Sequence, residues 1–350
     1  MTLSTAAPLW QAVDDLLEHA GVDGILAHGL GPLAAHRLRG LGEPVPSLLE
    51  PGEQLARMAV LTSIPLLRRI RDLTDGPLVL VKGVEVACLY PGRTRSFSDV
   101  DLLAVEGNAV HEALMTAGFA EADDQEIVDD YRHLPTLEAP RLWLKVEIHT
   151  RPIVPDGVRS PPLAEIVEAS VPSALGVEGI SAPHPVHHGL MLAAHGWDDH
   201  EPLATLRDLI DVAAVSWDAD QGELVRTARS WGIEGIWRTT HGVVRALFDE
   251  GPQTAALRLF GRHLPEVRER TVLENHLQRW LHPYWELPFH RALLATPETL
   301  RAELLPEPGE SWNDKLQRVK HALLRPGRSM SIHTRSWRRD VAGDRNRDRR

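Results

Sequence analysis

Hydrophobic positions recur at helical spacing early in the chain, shift towards alternation in the middle, and return to helical spacing afterwards. Trp10, Val13, Leu16 and Leu17 share one helical face, as do Leu55, Met58, Ala59, Ile64, Leu67 and Ile70. Pro44, Pro46 and Pro51 mark breaks, so residues 1–75 read as an N-terminal helical segment. Leu78-Val79-Leu80-Val81 is a short apolar run closed by Lys82-Gly83, which reads as a buried strand, a glycine turn and then a helix. Asp99-Val100-Asp101-Leu102-Leu103 and Leu144-Lys145-Val146-Glu147-Ile148-His149 follow as strands, which places the strands within 76–155. Pro152, Pro155, Gly157, Pro161 and Pro162 form a linker. Residues 156–325 are expected to be a helical domain, with Leu206, Leu209, Ile210, Val212 and Ala213 on one face and breaks at Pro265, Pro283, Pro288, Pro306 and Pro308. From 326 to 350 apolar content is low and the chain ends Asp344-Arg345-Asn346-Arg347-Asp348-Arg349-Arg350, a solvated tail expected to be disordered. Helices flanking a compact set of strands predict an α+β fold.

Side chains on a strand alternate, so Asp99 and Asp101 are expected on one face. Two like charges held side by side repel unless a cation lies between them, and Mg²⁺ is the natural cation for hard oxygen ligands, with Mn²⁺ as a substitute. Glu147, on a second strand, supplies a third carboxylate, and three such groups suit a metal and a nucleoside triphosphate in phosphoryl or nucleotidyl transfer. An isolated Asp-x-Asp is more often a solvated strand edge. The apolar flanks and the preceding strand-glycine-helix run favour the site. Lys82 is expected either to meet phosphates or to form an ion pair, with Glu85 as the candidate partner. His149 should share the face of Glu147, and His133 lies on a candidate neighbouring strand, each balanced against an ordinary core histidine.

Val81-Lys82-Gly83, Leu89-Tyr90-Pro91, Arg95-Ser96-Phe97-Ser98-Asp99-Val100-Asp101-Leu102-Leu103, Ala117-Gly118-Phe119, His133-Leu134-Pro135 and Val146-Glu147-Ile148-His149-Thr150 together resemble the nucleotidyltransferase superfamily of DNA polymerase β type. More narrowly, they are similar to the bacterial family of uncharacterised nucleotidyltransferases. The resemblance covers residues 76–155 well and 185–215 loosely. It implies a small mixed sheet as catalytic core, Asp99, Asp101 and Glu147 as catalytic metal ligands, and Lys82, Gly83, Arg95, His133 and His149 on the substrate side. It also selects Arg95 over Arg93. The superfamily's Gly-Ser is here Gly83-Val84, so Lys82 and Arg95 are expected to supply the charge that faces the triphosphate.

The remaining features narrow the function class. A net charge of −11 argues against a broad nucleic-acid surface, so the acceptor is expected to be a small molecule, peptide or protein. The single cysteine, Cys88, excludes an internal disulfide framework and reads as a small buried residue. No signal peptide and no apolar run near the ~20 residues of a membrane span are seen, which makes the cytoplasm the expected compartment. His184, His187, His188, His195 and His200 invite a zinc reading, but Pro185 interrupts the first pair and no His-Glu-x-x-His helix is formed. His195 retains a substrate-facing reading; Asp211 reads as a cap or a partner for a histidine. The expected activity is Mg²⁺-dependent transfer of a nucleoside monophosphate from a triphosphate, with pyrophosphate released. The alternatives are a kinase-like phosphotransferase and a non-catalytic nucleotide-binding or toxin–antitoxin-type module. Asp101→Asn is expected to lower turnover by at least ~100-fold and to leave folding little affected or slightly improved, because a like-charge pair is relieved.

Overall fold

The computed structural model describes residues 6–122, 133–155, 158, 160–198, 202–281, 283–286, 290–294, 297, 305–306 and 310–324. Gly157, His200, Pro288, Pro308 and the proposed tail 326–350 lie outside the described residues.

The chain opens with helices α1 (Ala7–Glu18), α2 (Val22–Ala27), α3 (Gly31–Leu41) and α4 (Glu50–Asp72). In α4 the buried stripe is Ala56, Ala59, Val60, Ser63, Leu66, Leu67 and Ile70, whereas Leu55 and Met58 are exposed. The sequence reading had assigned those two to the packed face. Large residues drew the periodicity outward, while small Ala56 and Ala59 are the buried ones, Ala59 in the core that α4 shares with the sheet. Glu53 is buried on α4 because Arg39 and Arg57 both pair with it.

The sheet follows: β1 (Leu78–Leu80), the one-turn helix α5 (Val84–Ala87), β2 (Asp99–Ala104), α6 (Gly107–Thr116), β3 (Ala120–Glu121), β4 (Leu137–Glu138) and β5 (Lys145–His149). After α7 (Leu163–Glu168), β6 (Val171–Pro172) and β7 (Ile180–Ala182) complete it. The fold is α+β, with a seven-stranded mixed sheet in the order β3-β4-β5-β2-β1-β7-β6. Strands β6 and β7 come from a stretch read as helical. They are too short for periodicity to register, and β7 joins the sheet by parallel pairing with β1 while β6 pairs antiparallel with β7.

Helices α8 (Pro185–Asp198), α9 (Leu206–Ser216), α10 (Gln221–Ser230), α11 (Glu234–Phe248), α12 (Ala255–Leu259), α13 (Val272–Leu281) and α14 (Pro283–Glu286) follow, and a further helix spans Trp312–Leu324. The apolar run of α9 is buried as its spacing predicts, through Leu206, Leu209, Ile210, Val212 and Ala213.

Two cores flank the sheet. Leu78, Leu80, Val100, Leu102, Val146 and Ile148 pack with Leu66, Leu67 and Ile70 of α4 and Val110 and Leu114 of α6. Val79, Val81 and Leu103 belong to a second core with Leu190 and Ala194 of α8, Leu209 and Ile210 of α9 and Trp237 of α11. Alternation on β2 thus directs Val100 and Leu102 to one core. Asp99, Asp101 and Leu103 face the α8–α9 side.

Candidate active site

Strands β2 and β5 run parallel, with Asp99 opposite Lys145, Asp101 opposite Glu147 and Leu103 opposite His149. Directly paired residues on one sheet face are close neighbours. The register therefore delivers Asp101, Glu147 and His149 to one place, where one ligand atom from each lies within 4.8 Å of the others. Asp99 is the next residue on that face. The sequence reading grouped the three carboxylates; the structure adds His149, whose Nε2 donates to Asp101 Oδ1 at 3.1 Å and stands 3.7 Å from Glu147 Oε2. His133 is not on a strand as expected but in the segment before β4, which runs beside β5 where the Leu134 N–H donates to the Ile148 carbonyl; its ring is 5.6 Å from that of His149.

These carboxylates have different electrostatics. Burial alone would raise Asp101, but the Lys82 ammonium, the His149 hydrogen bond and the nearby His149 and His195 hold its carboxyl well below the usual range. Asp99 is raised by burial and by the charge of Asp101. Glu147 is raised by burial and by the charges of Asp101 and Asp99. A site with two carboxyls pushed upward by neighbouring carboxylates holds more negative charge than its own side chains offset. Two carboxylates and an imidazole form a donor set that fits a divalent cation.

The turn after β1 supplies the cationic side. Gly83 has φ of 50° and ψ of −112°, and a Cβ there would come 2.8 Å from the Asp99 carbonyl oxygen. Only glycine allows β2 to pass this close. Lys82 is thereby set with Nζ donating to His195 Nε2 at 2.7 Å and lying 3.4 Å from Asp101 Oδ1. Glu85, the expected alternative partner, turns away and accepts from the Ser173 hydroxyl and the Ala174 N–H. Helix α5 is a single turn, so at this point the chain offers a few backbone N–H groups and little macrodipole. Half-buried Cys88 packs against the sheet core, its thiol pushed up to about 11 by burial.

Helix α8 anchors this turn from the other side. His188 is buried and its Nε2 donates to the Val81 carbonyl at 2.5 Å. Burial holds its pKa down to about 4, so the ring is neutral and structural. One helical face thus carries both His188 and His195. Among the described residues, none of His184, His187, His188 and His195 joins a group able to hold a metal.

Arg95 is paired with Asp211 of α9. Its Nε contacts both carboxylate oxygens at 2.9 Å, and its terminal nitrogen donates to Oδ2 at 2.7 Å. Asp211 also accepts from Tyr90 at 2.6 Å, so its partners are an arginine and a tyrosine where a cap or a histidine was expected. This buried pair fastens the loop that leads into Asp99 onto α9. Sequence reasoning gave no role to Arg207, at the start of α9. Thr205 caps that helix by accepting from the Asp208 N–H, which places Arg207 in the first turn.

A polar cavity of about 930 Å³ out to its mouth is lined by Lys82, Gly83, Arg95, Asp99, Asp101, His195, Arg207, Asp208 and Asp211. It brings together most of the expected site residues with Arg207 and His195. Glu147 and His149 adjoin Asp101, and His133 adjoins His149, but none of the three lines this space.

No curated protein and no solved structure matches the chain significantly. A family model described as an uncharacterised nucleotidyltransferase matches residues 10–249, from the first helix through α11 and past the whole sheet. The chain belongs to that family, and the protein is a nucleotidyltransferase.

Proposed function

We propose that this member of the uncharacterised nucleotidyltransferase family moves a nucleoside monophosphate from a nucleoside triphosphate to a small-molecule, peptide or protein acceptor, releasing pyrophosphate. The observation that carries the reading is the β2–β5 register, which sets Asp101 against Glu147 beside a polar cavity edged by Lys82 and Arg207. Asp99, Asp101 and Glu147 would hold Mg²⁺ or Mn²⁺, with His149 fixing Asp101 through its hydrogen bond. When bound, such a cation offsets triphosphate charge and stabilises the attacking and leaving oxygens.

The chain's own groups have distinct tasks in this scheme. Lys82 and Arg207, both in the cavity lining, meet the phosphates. Arg95 acts through Asp211, holding the loop that aims Asp99. Gly83 keeps backbone N–H groups close to the phosphates. An acceptor hydroxyl oxygen forms a bond to the α-phosphorus, and the bond from that phosphorus to the β-bridging oxygen breaks. Pyrophosphate carries away that electron pair. The hydroxyl proton passes to the Glu147 carboxylate, whose affinity for protons is raised by burial and by its acidic neighbours. His133 and His149 orient this carboxylate and Asp101. The net charge of −11 favours an acceptor other than a nucleic acid.

Incubation with α- and γ-labelled triphosphates, Mg²⁺ and a candidate acceptor pool tests the reading. Transfer of the α-label with release of γ-label in pyrophosphate is expected. Transfer of the γ-label alone would make the protein a phosphotransferase, and no transfer of either would leave a binding module.

A further inference from the structure

Arg207 lines the polar cavity, yet what surrounds it comes from the two ends of the chain. Among the described residues its ion-pair partner is Asp208, at 3.8 Å, whose Oδ2 already accepts from the Thr205 hydroxyl. Its Nε is buried and finds no hydrogen-bond partner among the described residues. The side chain lies over the corner between α2 and α3. A Cβ on Gly29, whose φ is 68°, would stand 3.3 Å from Arg207 Nη1, 3.4 Å from Cδ and 3.5 Å from Cζ, so the arginine fills the space that a side chain at 29 would take. The stretch leading into Arg207 is tied down from the same side. Buried His28 accepts from the Leu206 N–H at 3.2 Å through Nδ1, so its proton lies on Nε2, which donates to the His263 carbonyl at 3.3 Å. His263 Nε2 donates to the Ala204 carbonyl at 3.1 Å, and Arg270 donates to the Pro202 and Leu203 carbonyls at 2.7 Å. Leu203 has φ of 56°, a conformation that leucine keeps only where its surroundings impose it. His263 and Arg270 lie beyond the residues that the family model matches.

We infer that the α2–α3 corner belongs to the triphosphate site: Gly29 makes room for the Arg207 side chain, and His28 is a positioning residue that fixes the start of α9 so that this guanidinium meets the phosphates. The inference rests on the reading that places Arg207 on the phosphates. A free arginine samples many rotamers, and ordering it when a ligand binds costs affinity. Laid against Gly29 and carried on a tethered helix start, Arg207 has lost that freedom beforehand. A cation in the first turn also adds to the positive end of α9, so the arrangement gains most when an anion lies in front of it. Without an acceptor at position 28 the Leu206 N–H would be buried and unpaired, and the first turn of α9 would shift to find a partner.

The test is a set of double-mutant cycles on the full chain, read as the calorimetric dissociation constant of inorganic tripolyphosphate with Mg²⁺, a probe that needs no choice of base. Arg207→Gln should weaken tripolyphosphate by about tenfold, the equivalent of one charge-assisted contact. Gly29→Asn and His28→Leu should each weaken it several-fold in the wild-type background and have no further effect on top of Arg207→Gln. His28→Asn keeps an acceptor at the position of Nδ1 and should restore most of the affinity lost in His28→Leu. Gly42→Asn is the control: its φ of 73° imposes the same backbone demand with nothing within 4 Å of the new Cβ, and binding should stay as in wild type. Gly29 is only half-buried, so its cycle decides the matter if His28→Leu fails to fold. Losses that persist in full on top of Arg207→Gln, no loss in Gly29→Asn, or no saturable tripolyphosphate binding to wild type would overturn the inference. Labelled-triphosphate transfer is scored separately. Coupled cycles without α-label transfer would sink the proposed function and leave the corner as part of a polyphosphate site; α-label transfer with uncoupled cycles would do the reverse.

Discussion

At the scale of single residues, carboxylates on one face of the sheet carry unequal burdens. Asp101 is the compensated member, held by Lys82 and His149, while Asp99 and Glu147 bear the repulsion. The expectation that Asp101→Asn would leave folding untouched is therefore revised. Removing this charge strands a half-buried Lys82, at a cost on the order of 3 kcal/mol in the metal-free protein. Turnover should also fall by at least ~100-fold, the consequence of losing one strong electrostatic contact at the reacting centre. Chemical denaturation and a transfer assay on the same preparation check both. Glu147→Gln should behave oppositely in stability. Its folded-state pKa is raised, so the folded protein binds more protons than the unfolded chain and loses stability as pH rises through that window. At neutral pH the glutamine variant should thus melt higher than wild type without metal. The advantage should vanish at pH values below the ordinary carboxylate range, where both proteins are neutral at this position. A variant that melts lower at neutral pH would show that Glu147 is not the repelled group.

Among the elements, α8 is the one that ties sheet to helices at the site. Its two histidines, seven residues apart, hold consecutive positions of the β1–α5 turn: His188 the Val81 carbonyl and His195 the Lys82 ammonium. His188 has its pKa lowered from 6.5 to about 4 by burial. The unfolded chain takes up this proton first, so stability is lost as pH falls from about 6.5 to about 4, by up to about 3 kcal/mol. His188→Gln keeps an N–H donor and cannot titrate. Its stability should depend less on pH across that window, measured as the difference from wild type because buried His28 and His263 titrate in the same direction. Parallel slopes for the two proteins would remove His188 from the linkage. The strand elements of this site were legible from alternation around Asp99 and Glu147. The role of α8 was not, because a histidine on a buried helical face looks the same whether it meets a backbone carbonyl, a lysine or an apolar neighbour.

For the whole molecule, the sheet lies between two cores, and the acidic cluster sits where the second core gives way to polar cavity. Burying this unbalanced negative charge leaves the protein open to stabilisation by a cation that binds only the folded state. Mg²⁺ or Mn²⁺ at a hundred times its dissociation constant should add about 2.7 kcal/mol, seen as a rise in melting temperature reversed by chelator. Asp101→Asn and Glu147→Gln should lose most of that rise. An equal rise in both variants would place the cation elsewhere. No described helix is long and apolar enough to cross a membrane.

What the sequence determined by itself is local and periodic. Alternation places Asp99 and Asp101 on one face of β2 and Glu147 and His149 on one face of β5, since backbone geometry dictates side-chain direction from residue order alone. Lys82-Gly83 marks its turn for the same reason: few residues but glycine accept that backbone conformation. Tertiary structure alone decided which strands pair and in which register. It put Glu147 opposite Asp101, gave Asp101 rather than Asp99 the compensating lysine, and added β6 and β7 to the sheet. It also matched Arg95 with Asp211 across 116 positions of chain and carried His195 to Lys82 across 113. Contacts of that span depend on how whole faces pack, and no local pattern of hydrophobic and polar residues encodes them.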